Sequence, residues 1–294
     1  GWTIFLDANG NGTLDVGEVN TTTDGNGNYS FTGLLPGTYK VREVQQSGWI
    51  RTSQNPNDVV ATSGGTFPNV DFGNYQLVTL SGQKYNDMNG NGVKDAGDNG
   101  LQNWTIFFDA NDNGTLDGGE TNLTTDGSGN YSFTNVGPGT YKVREVLQSG
   151  WMQTTANPSD IVAVSGVNIS GIVFGNFQYA TISGQKFNDL NGNGVKDASE
   201  PGLQGWTIKV TGAKSDSSVT NASGNYTITG LIAGTYSVTE VLQSGWIQTT
   251  TNPAPVTLTS GQTVSNINFG NFKNPVISGV KFNDANGNGV KETG

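Results

Sequence analysis

The sequence predicts an all-β molecule built as a string of immunoglobulin-like sandwich repeats, and three observations predict it. Short segments alternate apolar and polar side chains with a period of two, and no stretch sustains the 3.6-residue period of an amphipathic helix. Of 294 residues 44 are glycine, and threonine, valine, asparagine and aromatics fill much of the rest, which suits strands joined by tight turns. The chain also repeats itself, each unit holding about 100 residues and some seven short strands.

The repeats can be phased by eye. "GWTIFLDANGNGTLDVGE" from Gly1 returns as "NWTIFFDANDNGTLDGGE" from Asn103, and "GWTIKV" returns at Gly205, each 102 residues on. "SGQKYND" from Ser81 returns at Ser183 after 102 residues and, as "SGVKFND", at Ser278 after 95. All six tryptophans keep this phase, Trp2, Trp104 and Trp206 in "WTI" and Trp49, Trp151 and Trp246 in "SGW". The expected divisions are 1–75, a repeat without its first strand and first loop; 76–178; 179–273; and 274–294, an opening strand with a truncated loop. The third repeat is shorter because "KVTGAKSDSSVTNASGNY" replaces its second acidic loop. The expectation is a window on a longer tandem array. The alternative is a subunit whose C-terminal strand completes its neighbour's first domain by strand addition. Hardly any linker separates the repeats, so neighbouring repeats are the expected partners.

Within a repeat the elements follow in order. The opening strand "VTLSGQK" puts Val78, Leu80, Gly82 and Lys84 on one face. An acidic dodecapeptide follows, then the strand "WTIFFD", then in the first two repeats a second dodecapeptide. The turns at Asp24 and Asp126, "TTDGNGNY" and "TTDGSGNY", read as hairpin chemistry, since the third repeat has "TNASGNY". "YSFTNV" and "TYKVREV" come next, the latter aligning Tyr141, Val143 and Glu145. "NISGIVFGNF" closes the unit and aligns Ile172, Phe174 and Asn176.

The dodecapeptides carry a ligand pattern. From Asp189, the residues Asp189, Asn191, Asn193, Asp197 and Glu200 occupy positions 1, 3, 5, 9 and 12, with Gly194 at 6 and the Val195 carbonyl at 7. This is the spacing of the EF-hand calcium loop, glycine included. The same scheme runs through Asp87, Asn89, Asn91, Val93, Asp95 and Asp98; through Asp7, Asn9, Asn11, Thr13, Asp15 and Glu18; and through Asp109, Asn111, Asn113, Thr115, Asp117 and Glu120. Asp284, Asn286, Asn288, Val290 and Glu292 begin a fifth copy. An all-oxygen set selects a hard cation, and a seven-ligand layout suits Ca2+ better than octahedral Mg2+. The alternative is that the Asn-Gly pairs only make turns. Each loop leaves a strand and returns to a strand, so the expected role is rigidification rather than signalling.

Composition excludes much else. Neither cysteine nor histidine occurs, which removes thiol nucleophiles, histidine triads and His/Cys metal sites. The net charge of −10 argues against nucleic acid or an anionic membrane as partner, and no apolar run is long enough to insert. Fifteen of the 24 acidic residues sit in the five loops, leaving no obvious catalytic carboxylate pair, so no enzymatic activity is expected.

The strand phases also point a lysine, a glutamate and an asparagine towards each complete core: Lys84, Glu145 and Asn176, then Lys186, Glu240 and Asn271. Buried charges are costly unless paired. An apolar pocket lowers a lysine's pKa and raises a glutamate's, so a neutral amine beside a protonated carboxyl could attack the asparagine amide, expel ammonia and leave an isopeptide bond. The alternative is that Lys84 snorkels from a strand end to a nearby carboxylate while the asparagine caps a turn.

Together "SGQKFNDLNGNGVKDASEPGLQGWTI", "DGNGNYSFTGLLPGTYKVREV" and "FGNF" resemble the B-type repeats of serine-aspartate-repeat surface adhesins, within the wider collagen-adhesin B-type, transthyretin-like family. The resemblance implies calcium-stabilised sandwiches strung between a ligand-binding head and a cell-wall anchor. It also implies Lys–Asn or Lys–Asp isopeptide bonds assisted by an acidic residue, a position that Glu43 matches. The expected function is an extracellular, cell-surface stalk or fibre segment stiffened by Ca2+. The alternative is an adhesin module that binds a host or matrix protein or a glycan.

Overall fold

The computed structural model describes residues 1–293. Among them there is no helix, hence none long and apolar enough to cross a membrane. Contacts gather the chain into two compact units: Gly1–Asp87, Gly92–Ser149 and Gln153–Asn176 in one, and Met88–Asn91, Gly150–Met152 and Phe177–Gly294 in the other.

The second unit holds the third repeat as two packed sheets. One runs Asn225–Leu231, Ala180–Asn188, Phe269–Lys273, Trp246–Gln248; the other runs Asp216–Val219, Thr207–Gly212, Gly234–Glu240, Val256–Leu258. The period of two sends Ile182, Tyr226 and Phe269 from one sheet and Ile208, Val210 and Val238 from the other into a shared core, each at most 3% exposed. The opening strand is central. It runs antiparallel to Asn225–Leu231 but parallel to the closing strand, with Lys186 opposite Phe269 and Asn188 opposite Asn271.

The first unit contains most of the second repeat, built alike. Val78–Asn86 lies between Asn130–Val136 and Ile169–Gln178, and Thr105–Phe108 lies between Asn122–Thr124 and Val143–Glu145. Leu80, Ile106, Tyr131, Phe133, Val143 and Phe174 form its core. Parallel pairing brings the first and last strands very close at one point. A Cβ on Gly82 would lie 1.6 Å from the Ile172 carbonyl oxygen, and one on Gly184 would lie 1.8 Å from that of Ile267, so only glycine fits there.

One strand differs from its sequence pattern. "TYKVREV" alternates without a break, yet Gly139–Tyr141 pairs with Ile161–Ala163 whereas Val143–Glu145 pairs with Thr105–Phe108. The cause is the second acidic loop: the Asp109 N–H donates to the Lys142 carbonyl at 2.9 Å and carries the chain away from the ladder. The third repeat has no such loop, and there Thr207–Gly212 continues along an unbroken Gly234–Glu240 from Glu240 to Tyr236. In the first repeat, Thr3–Leu6 pairs with Asn20–Thr22 and Val41–Glu43, and its core shrinks to Ile4, Leu6 and Val41 with partly buried neighbours.

Candidate functional site

Two arrangements recur: the acidic loops and a buried lysine, glutamate and asparagine. Each loop wraps around its own carboxylates. The Asp189 carboxylate, buried at position 1, accepts from the N–H groups of Gly192, Asn193 and Gly194 at 2.7–3.1 Å. Glu200, at position 12, closes the ring by accepting from Leu190 N–H and Asp197 N–H at 2.8 and 2.9 Å. Between them the Asn191 and Asn193 amides both donate to Asp197 Oδ2, at 2.8 and 3.2 Å, so positions 3, 5 and 9 meet at one point.

The other loops repeat this closure. Asn9 and Asn11 converge on Asp15 Oδ2, and Glu18 accepts from Ala8 and Asp15 N–H. Asn111 and Asn113 converge on Asp117 Oδ2, and Glu120 accepts from Ala110 and Asp117 N–H. In the loop from Asp87, Gly92 N–H reaches Asp87 Oδ2, Asn91 N–H reaches Asn89 Oδ1, and Asp95 N–H reaches Asp98 Oδ2. Asn286 and Asn288 converge on Glu292 Oε1, and Val290 N–H donates to Asn288 Oδ1. At position 7, Thr13, Thr115 and Val195 donate N–H to the position-5 asparagine, while Val93 is exposed.

Electrostatics follow from these bonds. The asparagine amides hold the Asp117 carboxyl below the usual range, Asn111 first and Asn113 second, and Asn288 and Asn286 do the same to Glu292. For Asp189 burial pushes upward, but hydrogen bonds to its carboxylate, those of the loop N–H groups among them, outweigh it and lower the pKa. Arg42 and Arg144 approach Asp7 and Asp109 at 3.9 Å. Among the described residues no three His, Cys, Asp or Glu side chains gather so as to hold a metal ion. The turns at Asp24 and Asp126 behave as hairpin turns, each carboxylate accepting from N–H groups two and four residues on.

The second arrangement lies between the sheets. Lys84 Nζ sits 2.8 Å from Glu145 Oε2, and Asn176 Nδ2 donates to Glu145 Oε1 at 2.8 Å. The third repeat reproduces this, with Lys186 Nζ 2.9 Å from Glu240 Oε2 and Asn271 Nδ2 2.7 Å from Glu240 Oε1. Both lysines and both asparagines are 0% exposed. Burial pulls each lysine down to about 8, against the opposing pull of its glutamate. Asn176 Oδ1 and Asn271 Oδ1 are buried without a partner. The first repeat holds the half-set Glu43 and Asn74 at 2.8 Å, with Glu43 Oε1 and Asn74 Oδ1 buried and unpartnered.

Both predicted triads therefore converge, and Lys84 does not snorkel. Sequence reasoning missed the residue that covers each amine. Lys84 Nζ lies 4.3 Å from the ring centroid of Trp104, and Lys186 Nζ lies 4.5 Å from that of Trp206. Buried threonines fix these tryptophans: Trp104 N–H donates to Thr125 Oγ1 and Trp206 N–H to Thr220 Oγ1, each at 3.0 Å. The signal was the strict phase of "WTI", read only as a marker of the repeat.

The SdrD B-like domain family matches residues 78–168 and 180–269, and the prealbumin-like fold domain matches residues 1–76. Among curated relatives, serine-aspartate repeat-containing protein F of Staphylococcus epidermidis is 29% identical over 260 residues, which is 79% of this chain and 16% of that protein. Serine-aspartate repeat-containing protein D of Staphylococcus aureus is 29% identical over 266 residues, 80% of this chain and 19% of that protein. The chain thus spans less than a fifth of the relatives' length. Among solved structures, the Bacillus anthracis TIE protein aligns over 93% of this chain and 48% of its own, at 18% identity and a TM-score of 0.38.

Proposed function

The chain belongs to the SdrD B-like domain family, and from that premise we propose that it is a structural stalk or fibre segment of an extracellular cell-surface protein, braced by Ca2+ and by bonds within its repeats. It is not an enzyme in this reading: its carboxylates serve loops and cores. The observation that carries the reading is the recurrence of one loop closure. In each of the loops at Asp7, Asp109, Asp189 and Asp284, two asparagines converge on a single carboxylate. A bound Ca2+ would be held by the side-chain oxygens at positions 1, 3, 5, 9 and 12, with the asparagine amides turning their oxygens inward. It would supply positive charge where like charges otherwise repel, fixing the loop between two strands.

Within the cores, the Lys84 amine, Glu145 carboxyl and Asn176 amide support an isopeptide bond. With one proton shared between Lys84 and Glu145, the neutral amine attacks Asn176 Cγ while the protonated carboxyl stabilises the oxygen. The Nζ–Cγ bond forms, the Cγ–Nδ2 bond breaks, and ammonia leaves with the amine's proton. Lys186, Glu240 and Asn271 do likewise. The buried indoles of Trp104 and Trp206 keep water from the amines.

Intact mass and calorimetry test both halves. The chain is expected to weigh two ammonia molecules less than its sequence, and to bind several Ca2+ ions with saturable heat, far more tightly than Mg2+. A full sequence mass would remove the cross-links, and absence of Ca2+ heat would reduce the loops to turns.

A further inference from the structure

The second acidic loop of a repeat comes with its own cations. Arg144 Nε lies 3.9 Å from Asp109 Oδ2, at position 1 of the loop, and Arg144 Nη2 lies 3.8 Å from Asp112 Oδ1. Lys142 Nζ lies 3.5 Å from Asp112 Oδ2. The guanidinium is anchored: Arg144 Nη1 donates to the Val143 and Pro158 carbonyls at 2.9 and 3.4 Å, and the side chain is only 15% exposed. The first repeat holds the same arrangement. Arg42 Nε lies 3.9 Å from Asp7 Oδ2, and Arg42 Nη1 donates to the Val41 and Pro56 carbonyls at 2.8 and 3.5 Å.

The third repeat supplies the contrast. It has no second loop, and there "KVRE" becomes "SVTE", with Thr239 in the place of Arg42 and Arg144 and Ser237 in that of Lys40 and Lys142. The residue across the ladder changes too. Phe5 and Phe107, opposite Arg42 and Arg144, are 1% and 0% exposed, whereas Lys209, opposite Thr239, is exposed. Loop, arginine and buried phenylalanine thus appear and disappear together. In the loop from Asp189 the position-8 lysine, Lys196, donates instead to the Asp197 carbonyl at 3.0 Å.

An anchored guanidinium beside a position-1 carboxylate has two effects. It neutralises that carboxylate in the empty loop, and it repels an arriving cation. Ca2+ bound to Asp109 Oδ2 would lie within roughly 6.5 Å of Arg144 Nε, inside the Debye length of about 8 Å at physiological salt. Even at the dielectric constant of water, repulsion at that range weakens binding about ten-fold. We propose that Arg42 and Arg144 are resident counter-ions of the second loops: they hold the loops at Asp7 and Asp109 closed without metal, and they make them weaker Ca2+ sites than the loop at Asp189. The metal half rests on the Ca2+ reading above; the metal-free half does not. The second loop then keeps Phe107 covered whatever the Ca2+ concentration.

Calorimetric Ca2+ titration of the full chain and of Arg144→Gln, with amide hydrogen exchange of both in excess chelator, tests it. The parent should show a tighter and a weaker class of sites. Arg144→Gln should tighten one weak site at least about ten-fold. Without metal it should speed exchange across residues 110–117 several-fold and leave residues 190–197 unchanged. Arg42→Gln, in a different repeat, should give both effects at residues 8–15, so a folding defect in one variant does not decide the matter. Unchanged affinity in chains that bind Ca2+ overturns the metal half, and unchanged exchange overturns the metal-free half. A parent that binds no Ca2+ removes the Ca2+ reading and the metal half with it, and the exchange result then decides the rest.

Discussion

At the scale of single residues, the buried lysine decides the chemistry. Removing one partner from a buried ion pair typically costs about 3–5 kcal/mol, because the other charge is left uncompensated. Glu145→Gln should therefore weigh its sequence mass less one ammonia rather than two, and lower the melting temperature of the second repeat. A variant lighter than its own sequence by two ammonia molecules would show that Glu145 has no part in the bond. The pKa of Lys84 gives a second handle, in Asn176→Ala, which cannot cross-link there and keeps its amine. A folded value of about 8 against an ordinary 10.5 means that the unfolded chain binds more protons between the two. Unfolding free energy then rises with pH across that window. From pH 8 to about 9.5, before tyrosines titrate in the unfolded chain, the urea midpoint of the variant should climb while the cross-linked parent stays level. A falling midpoint would mean that Lys84 is held charged.

Loops and strands set the next scale. Asp117 is exposed and takes no part in a core, yet it gathers Asn111 and Asn113. Asp117→Asn removes the charge at the convergence point, so calorimetry should lose or weaken one Ca2+ site. The metal-free protein should shift by no more than about 0.5 kcal/mol, as for most surface substitutions. A large metal-free loss would make the carboxylate a structural cap instead. This scale also shows what a sequence can disclose. The core-facing phase of Val78, Leu80 and Lys84 was legible because alternation fixes which face a residue takes. Alternation does not fix which strand lies alongside, so the parallel pairing of opening and closing strands was not legible. The break at Lys142 was hidden for a related reason: it is imposed by a loop that begins more than thirty residues earlier, at Asp109. Trp104 escaped because its contact with Lys84 crosses from one sheet to the other.

At the scale of the whole molecule, loops are unevenly shared. The second repeat carries two complete loops, from Asp87 and Asp109, and the third carries one, from Asp189. A ligand that binds only the folded state stabilises by mass action at each site, so chelation should destabilise the second repeat more. Calorimetric scans with Ca2+ and with chelator should show two transitions whose separation changes, and a uniform shift would contradict the assignment. The repeat architecture was legible because the loops and six tryptophans recur in step with the repeat. The parallel arrangement of first and last strands has a mechanical consequence. Tension enters the second repeat at Val78 and leaves beyond Asn176, at opposite ends of two neighbouring strands, so their hydrogen bonds are sheared together rather than unzipped singly. With Lys84 joined to Asn176, force would pass from the opening strand straight into the closing one. The sequence between them would bear no load, and the repeat could be pulled without lengthening.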